Sequence, residues 1–102
     1  MRRVPDFRLL TNHGNVLLLI ARDPALRIRE IAAALDITER ATQRIVADLV
    51  AAGYIDKEKR GRRNVYHVRM HLPLRLPFGN DLNVNSLLDA MATADDEEGG
   101  SK

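Results

Sequence analysis

The sequence predicts one domain that is mainly α with a small β-hairpin (α+β). As far as Gly53, apolar residues recur at the roughly 3.6-residue period of helices, and beyond it the period shortens to about two, which is typical of strands. A chain of 102 residues with an apolar fraction of 45% is sufficient for one modest hydrophobic core. Cysteine is absent, so disulfides and thiolate metal sites are excluded, and a reducing cytoplasm is the expected location.

The first two predicted helices are short and amphipathic. One extends from about residue 12 to 22 and ends at Asp23, because the residue before a proline is disfavoured in helical backbone angles. Its predicted buried face consists of Val16, Leu17 and Ile20. The next helix lies within "LRIREIAAAL", residues 26–35, where the apolar spacing is that of one helix face. That face consists of Ile28, Ile31, Ala32 and Leu35.

A tight turn then leads into the third helix. Asp36 tolerates left-handed backbone angles, and Thr38 is a good N-cap because its hydroxyl can accept a hydrogen bond from a free helix amide. We predict a helix over 39–52, with Gly53 as its C-terminal stop. The predicted buried stripe is Thr42, Ile45, Val46, Leu49 and Val50. The opposite face, which is small and mostly polar or basic, is Glu39, Arg40, Gln43, Arg44, Ala47 and Ala51.

Two predicted strands, "YIDKEK" and "NVYHVRM", follow Gly53 and are joined by "RGRR" around Gly61. Alternation places Tyr66, Val68 and Met70 on one side, which has to pack on the helices because a hairpin of this size is marginal alone. The tip of the hairpin carries Lys57, Lys59, Arg60, Arg62, Arg63 and Asn64. Such a cluster of cations either keeps the turn soluble or contacts a polyanion.

The segments outside the predicted domain, residues 12–70, differ from it in character. Residues 1–11 are predicted to form an irregular arm, and residues 71–83, which contain two prolines, an extended strap. A last helix over 84–93 has an apolar stripe of Val84, Leu87, Leu88 and Met91. Residues 94–102 are acidic and are predicted to be disordered.

Charge is distributed unevenly along the chain. Residues 1–79 carry 15 Lys and Arg against 8 Asp and Glu, a net of +7, whereas residues 80–102 carry one Lys against 6 acids, a net of −5. This separation favours a polyanionic partner over general solubility. The longest apolar run, "VLLLIA", is too short to cross a membrane, so no membrane association is expected.

No residue pattern indicates catalysis or a cofactor. The sequence has no nucleophile–base pair, phosphate-binding loop or clustered acids, so we expect neither enzyme activity nor catalytic residues nor a bound cofactor. His67 and His71 are four residues apart, but that spacing crosses a strand end and no third ligand is near. A metal site is therefore not expected.

The complete arrangement, two short helices joined by a tight turn and then a basic hairpin, is that of a winged helix-turn-helix. The stretch "IREIAAALDITERATQRIVADLVAAGYIDKEKRGRRNVYHV" resembles the DNA-binding core of MarR-type and ArsR-type prokaryotic transcriptional regulators. Within it, "ITERATQRIVADLVAAGYI" is similar to the recognition helix and "GRRNVYHV" to the wing. The resemblance covers about residues 12–70 and implies the order α-β-α-α-β-β, followed here by the C-terminal helix. The cysteine-rich boxes of ArsR-type metal sensors are absent.

This resemblance and the chemistry of the residues together predict a sequence-specific, double-stranded DNA-binding transcriptional regulator, acting as a repressor or autoregulator. One helix fits the major groove, where arginine pairs with guanine and glutamine with adenine. The wing is expected to contact the backbone or the minor groove. The predicted DNA-binding residues are Thr38, Glu39, Arg40, Gln43, Arg44, Lys57, Lys59, Arg60, Arg62, Arg63 and Asn64.

Several alternatives stay open in the sequence. The wing cations could form an ordinary solvated turn, and Asn64 could bind phosphate or only shape that turn. The apolar stripe of the last helix could pack on the chain's own core, although we predict a homodimer through it. A rival hypothesis is a winged-helix module that binds a protein or RNA. The sequence leaves any small-molecule effector unidentified.

Overall fold

The computed structural model describes residues 9–91 and contains three helices followed by a hairpin and a further helix. The helices are α1 (Asn12–Arg22), α2 (Ile28–Leu35) and α3 (Glu39–Ala51), and the antiparallel strands are β1 (Ile55–Arg60) and β2 (Arg63–Val68). Helix α4 begins at residue 84 and is described as far as 91. The predicted class, mainly α with a small β-hairpin, is confirmed. Most of the predicted arm, the end of the last helix and the acidic tail 94–102 lie outside the described residues.

Hydrogen bonds in their first turns define where the helices begin. The Thr11 hydroxyl accepts from the Gly14 backbone N–H at 3.2 Å, and the Thr38 hydroxyl accepts from the Ala41 N–H at 3.0 Å. Helix α2 ends at Asp36, whose φ of 55° is the left-handed conformation that a short polar side chain tolerates. The predicted turn between α2 and α3 and its Thr38 cap are therefore confirmed.

The hydrophobic core lies where the helices meet one side of the hairpin. Its fully buried members come from several elements: Val16, Ile20, Ile31, Ile55 and Val84. The buried faces predicted for α1 and α2 are confirmed, with Ile28 half-buried at the edge. Val50 departs from the stripe predicted for α3, because it lies over a groove between α3 and the hairpin and remains 36% exposed.

The hairpin has a two-residue turn and alternating faces. Its register ends with Arg60 opposite Arg63, which leaves Gly61 and Arg62 as the turn. Gly61 has a φ of 62°, a positive value that glycine adopts without steric penalty and that tight hairpin turns require. Strand β1 contacts α3 and strand β2 contacts α1. Tyr66, on the side predicted to pack on the helices, is buried.

One strand of the predicted order α-β-α-α-β-β does not form. Between α1 and α2 the chain makes a turn, in which the Leu26 and Ala25 N–H groups donate to the carbonyl and carboxylate of Asp23, each at 3.1 Å. Pro24 also lacks the N–H that a sheet ladder needs. This segment meets the hairpin through a side chain instead, since Arg63 donates to the Ala25 carbonyl at 2.6 Å. The order in the described part of the chain is α-α-α-β-β-α.

Residues 71–83 fold back on themselves instead of forming the predicted extended strap. The Leu74 N–H donates to the Leu82 carbonyl at 3.0 Å, and a pair of backbone hydrogen bonds between Leu76 and Gly79 closes the turn around Pro77 and Phe78. The reversal at this position follows from the fixed φ of proline, which favours turns. Phe78 is 83% exposed at the tip.

The first turn of α4 packs on the chain's own core. The Val84 side chain is 0% exposed, and its N–H donates to the Leu72 carbonyl at 3.0 Å. Asn83 caps the helix by accepting from the Ser86 N–H at 3.0 Å. Val84 was therefore wrongly assigned to a dimer interface, because a side chain without exposed surface cannot contact a partner. The other predicted interface residues are half-buried: Leu87, Leu88 and Met91.

Candidate nucleic-acid interface

The outward face of α3 combines polar donors with small side chains. Arg40, Gln43 and Arg44 are exposed there, and none of their side chains has a hydrogen bond or ion pair with another residue of the described chain. Ala47 and Ala51 lie exposed on the same face. The helix therefore presents unpaired hydrogen-bond donors next to small alanine side chains, so that a partner can approach its backbone closely.

The start of α3 adds two further predicted residues. The Thr38 hydroxyl accepts from the Ala41 N–H, so its own hydrogen stays available to donate. Glu39 is exposed in the first turn, where its carboxylate interacts favourably with the helix dipole. Beside them is a shallow hollow of about 310 Å³. Its lining residues are Thr38, Arg40, Ala41, Arg44 and Ile45.

The two faces of the hairpin differ in charge. We name the face that bears the buried residues Ile55 and Tyr66 the inner face. The register pairs Lys57 with Tyr66 and Lys59 with Asn64, so these polar residues share the inner face. Neither lysine has an ion pair with another residue in the range 9–91. The inner face is therefore cationic, and the described hairpin places no carboxylate on it.

The opposite, outer face bears both acids of the hairpin, and neighbouring cations neutralise them. Asp56 accepts two hydrogen bonds from Arg69, at 2.9 and 2.7 Å. Glu58 accepts two from Arg60, each at 3.2 Å, and its Oε1 lies 2.8 Å from Nε2 of His67. The hydrogen bonds from Arg69 lower the pKa of Asp56, and those from Arg60 and then His67 lower the pKa of Glu58. The outer face therefore offers a polyanion little net charge.

The five cations predicted at the hairpin tip consequently fall into two groups. Arg60 is bound to Glu58, and Arg63 is held by the Ala25 carbonyl, which braces the hairpin against the loop between α1 and α2. The remaining cations have no partner within the described residues: Lys57, Lys59 and Arg62. The unpaired cations are the ones that stay available to a ligand.

The inner face of the hairpin and α3 share one groove. Gln43 of α3 and Lys57 of β1 both line a hollow of about 310 Å³, whose apolar lining includes Val46, Val50 and Tyr66. The unpaired donors of the helix and of the hairpin therefore open onto the same side of the molecule.

A second hollow adjoins this groove at Ile28 and Tyr66, which line both. It has a volume of about 320 Å³ and lies between the hairpin and Arg27, the residue before α2. Sequence reasoning did not include Arg27 among the site residues. Folding alone brings it near Arg62 and Asn64, so no local pattern could have linked them. The available signal was an arginine at the position before the first residue of a helix.

Two histidines join neighbouring elements by hydrogen bonds. Nε2 of His13 lies 2.8 Å from the carboxylate of Asp48, which links α1 to α3, and His67 contacts Glu58 across the hairpin. Within residues 9–91, no three His, Asp or Glu side chains are grouped so that they could hold a metal ion. Over the same range, no helix has the length and apolar character needed to cross a membrane.

The arrangement of α2, α3 and a basic hairpin defines the class of the domain, a winged helix-turn-helix. The model of a family described as "MarR family" matches residues 9–63, which is more than half of the chain. The chain belongs to the MarR family, and the resemblance noted in the sequence is confirmed.

Several solved structures are similar to the chain, among them the following two. The first, "MarR Protein from Peptoclostridium difficile DA00132", has a TM-score of 0.54 at 19% identity, and the match covers 90% of this chain and 53% of that one. The second is the zinc-dependent MarR family transcriptional regulator AdcR in its Zn(II)-bound state. Its TM-score is 0.47 at 21% sequence identity, and the match covers 68% of this chain and 49% of that one. The chain thus spans about half the length of either structure. A comparison with curated proteins found no match.

Proposed function

We propose that this chain binds double-stranded DNA sequence-specifically as a transcriptional regulator, with α3 in the major groove and the inner face of the hairpin on the backbone. The observation that supports this most directly is the sorting of charge on the hairpin. Its unpaired lysines lie on the side that shares a groove with α3, and its acids lie on the other side. A duplex that contacts α3 would therefore meet cations on both elements.

The outward residues of α3 supply the base contacts in this proposal. Arg40 and Arg44 can each present a guanidinium fork to the acceptors of guanine, and Gln43 can pair with adenine. Glu39 can accept from cytosine, and Thr38 with the first free amides of the helix can bind a phosphate. Each good bidentate contact contributes about 1–3 kcal/mol of discrimination between bases.

The hairpin supplies contacts that do not depend on base sequence. Lys57, Lys59 and Arg62 are assigned to phosphates, because their charges are unpaired within the described structure. Arg60 and Arg63 are assigned to holding the hairpin in place, since Glu58 and the Ala25 carbonyl already bind them. Asn64 lies on the inner face beside Lys59 and is assigned to the same phosphates.

A two-fold dimer through α4 completes the proposal. Leu87, Leu88 and Met91 retain part of their surface in the isolated chain, although Leu88 also packs against the core. Two copies related by a two-fold axis would present two α3 helices to a palindromic site, and occupancy of such a site near a promoter gives repression or autoregulation. Sedimentation velocity of wild type and Leu87→Glu tests this directly, since the charge should yield the monomer.

One observation favours a rival function, a winged-helix module that binds a protein segment. Val50 is 36% exposed and, with Ala47 and Ala51, gives the groove beside α3 an apolar side. Such a groove can accept an apolar side chain of a partner. A protein-binding module would not, however, need the unpaired Lys57 on the hairpin side of that groove or the unpaired Arg40 and Arg44 on the outward face of α3.

Binding to a panel of genomic-fragment duplexes distinguishes the two functions. Fluorescence anisotropy at several salt concentrations would compare wild type, Arg44→Ala and Lys57→Ala/Lys59→Ala. Arg75→Ala, outside the groove, is the control that removes the same charge as Arg44→Ala. We expect a few fragments to bind far above background and Arg44→Ala to erase that preference. The lysine variant should weaken all fragments alike and make the slope of log affinity against log salt shallower by about 0.9 for each phosphate that it no longer neutralises.

Other results would contradict the proposal in different ways. Weak and equal binding of every fragment would show that α3 does not distinguish bases, and the module that binds a protein or RNA would become the better hypothesis. An equal loss in Arg75→Ala and Arg44→Ala would show that general charge, and not the α3 surface, determines affinity.

A further inference from the structure

The second hollow, between the start of α2 and the hairpin turn, has an uneven charge. Its lining includes three arginines, Arg27, Arg62 and Arg63, together with the amide of Asn64, and the described lining contains no carboxylate. The remaining lining residues are uncharged: Leu26, Ile28 and Tyr66. Cations gathered around an apolar base without a counter-charge repel one another, so an anion placed between them would be favoured.

Two of the arginines are available to a ligand. The side chains of Arg27 and Arg62 are exposed and have no hydrogen-bond or ion-pair partner among the residues described, whereas the Arg63 side chain donates to the Ala25 carbonyl. The neighbouring acid Glu30 accepts from the Arg27 backbone N–H at 2.8 Å and does not line the hollow. Because Arg63 ties the hairpin to the loop before α2, the two walls of the hollow are held at a fixed separation without a ligand.

The shape and the donors of the hollow favour a phosphate over a carboxylate. Its volume of about 320 Å³ corresponds to roughly ten water molecules, which is ample for a phosphate with attached groups. A tetrahedral anion presents oxygens in several directions, so Arg27 from one wall and Arg62 from the other can each form a forked pair with it. A carboxylate presents its two oxygens on one side and suits a single arginine better.

We propose that this hollow binds a phosphate group, held by Arg27 from the α2 side and by Arg62 from the hairpin side. If the phosphate belongs to DNA, the inference rests on the proposed function. The hollow would then bind a backbone phosphate next to the groove at α3, which adjoins the hollow through Ile28 and Tyr66. The same chemistry admits the phosphate of a free phosphorylated compound, which would then compete with the duplex. Arg27 is a contact that the helix and the wing alone would not provide.

Pyrophosphate is the first probe, because it offers phosphate oxygens without bases or a duplex. It would be titrated into the ¹⁵N-labelled full chain while backbone amide and arginine Nε–Hε signals are followed. The test variant is Arg27→Gln/Arg62→Gln. The control, Arg29→Gln/Arg75→Gln, removes two exposed arginines that do not line the hollow. We expect saturable shifts at residues 27–28 and 62–64 in wild type and control, and affinity weaker on the order of a hundredfold in the test variant.

Duplex binding with the same variants identifies the source of the phosphate. If it belongs to DNA, the test variant should have a salt slope shallower by about 0.9, and the control should keep the wild-type slope. Pyrophosphate binding in the hollow with an unchanged salt slope would support the site and assign it to a free phosphorylated compound.

Absence of saturable shifts in wild type, or equal shifts in the test variant, would overturn the proposal. The pyrophosphate titration contains no DNA, so its outcome is independent of the fragment panel. If the chain bound all duplexes of the fragment panel equally, sequence-specific regulation would be refuted, but the phosphate site would not.

Discussion

The inner and outer faces of the hairpin are built from the same two six-residue strands, yet they differ in electrostatic character. Along β1, Lys57 and Lys59 alternate with Asp56 and Glu58, so the linear sequence shows mixed charge. Pleating sends the lysines to the side of α3 and the acids to the side where arginines and a histidine bind them. The order of charges along a strand, and not their sum, therefore determines what each face can bind.

A substitution that removes packing at the base of the inner face should cause the largest loss of stability. Tyr66 is 6% exposed and belongs to the core, whereas its neighbour Val65 points to the outer face and is half-buried. Tyr66→Ala should lower the free energy of unfolding by about 3 kcal/mol, and Val65→Ala by about 1 kcal/mol. Urea denaturation measures both. Equal losses would show that the inner face does not anchor the hairpin.

Exchanging the charges of the two faces should weaken DNA binding at constant net charge. Glu58→Lys/Lys59→Glu places an acid on the inner face and a lysine on the outer face, and we expect affinity to fall on the order of tenfold. Lys59→Arg, which preserves the cation, is the control and should bind as wild type does. Unchanged affinity in the exchanged variant would mean that only total charge matters.

The turn residue that sets the register should have a moderate effect on stability. An added Cβ at Gly61 meets no atom within 4 Å, so Gly61→Ala is penalised only through its φ of 62°. We expect a loss of about 1 kcal/mol in the free energy of unfolding. Gly14→Ala in α1 is the matched comparison, because an alanine there makes ordinary contacts and should stabilise by up to about 1 kcal/mol. Thermal unfolding of both variants in parallel tests the difference.

The smallest effect is expected from acid titration of the outer face. Folding lowers the pKa values of Asp56 and Glu58 below their ordinary values of 3.8 and 4.5. Their ionised forms therefore stabilise the fold above these values, and this contribution is lost as the pH falls through the lower folded pKa values. Asp56→Asn/Glu58→Gln should lose less stability than wild type between about pH 6 and about pH 2.

The helices and the hairpin could be predicted from the sequence because their signals are local. Apolar periodicity and the caps at Asp36 and Thr38 define the helices, and Gly61 marks the turn. The strand that does not form between α1 and α2, and the strap that folds back, are governed by short-range hydrogen bonds and by prolines, and the apolar periodicity encodes neither. The exposure of Val50 depends on how far the hairpin stands from α3.

The sequence predicts which residue types the candidate site contains. It does not predict which of their side chains remain unpaired and available to a ligand. In the sequence alone, nothing distinguishes the five cations of the hairpin from one another: Lys57, Lys59, Arg60, Arg62 and Arg63. A contact within β1 occupies Arg60, a contact with the distant loop before α2 occupies Arg63, and the other three cations are left open. Arg27 was missed for the same reason, since its neighbours in the hollow come from the far side of the hairpin turn.

A sheet of two strands leaves one edge of each strand without a strand partner in the described structure. Free edges can recruit strands from other molecules, and lysine or arginine along them opposes this, because pairing of identical strands brings like charges together. The cations of the hairpin therefore also act against aggregation. Their loss would remove a barrier to edge-to-edge growth of the sheet from one copy of the chain to the next.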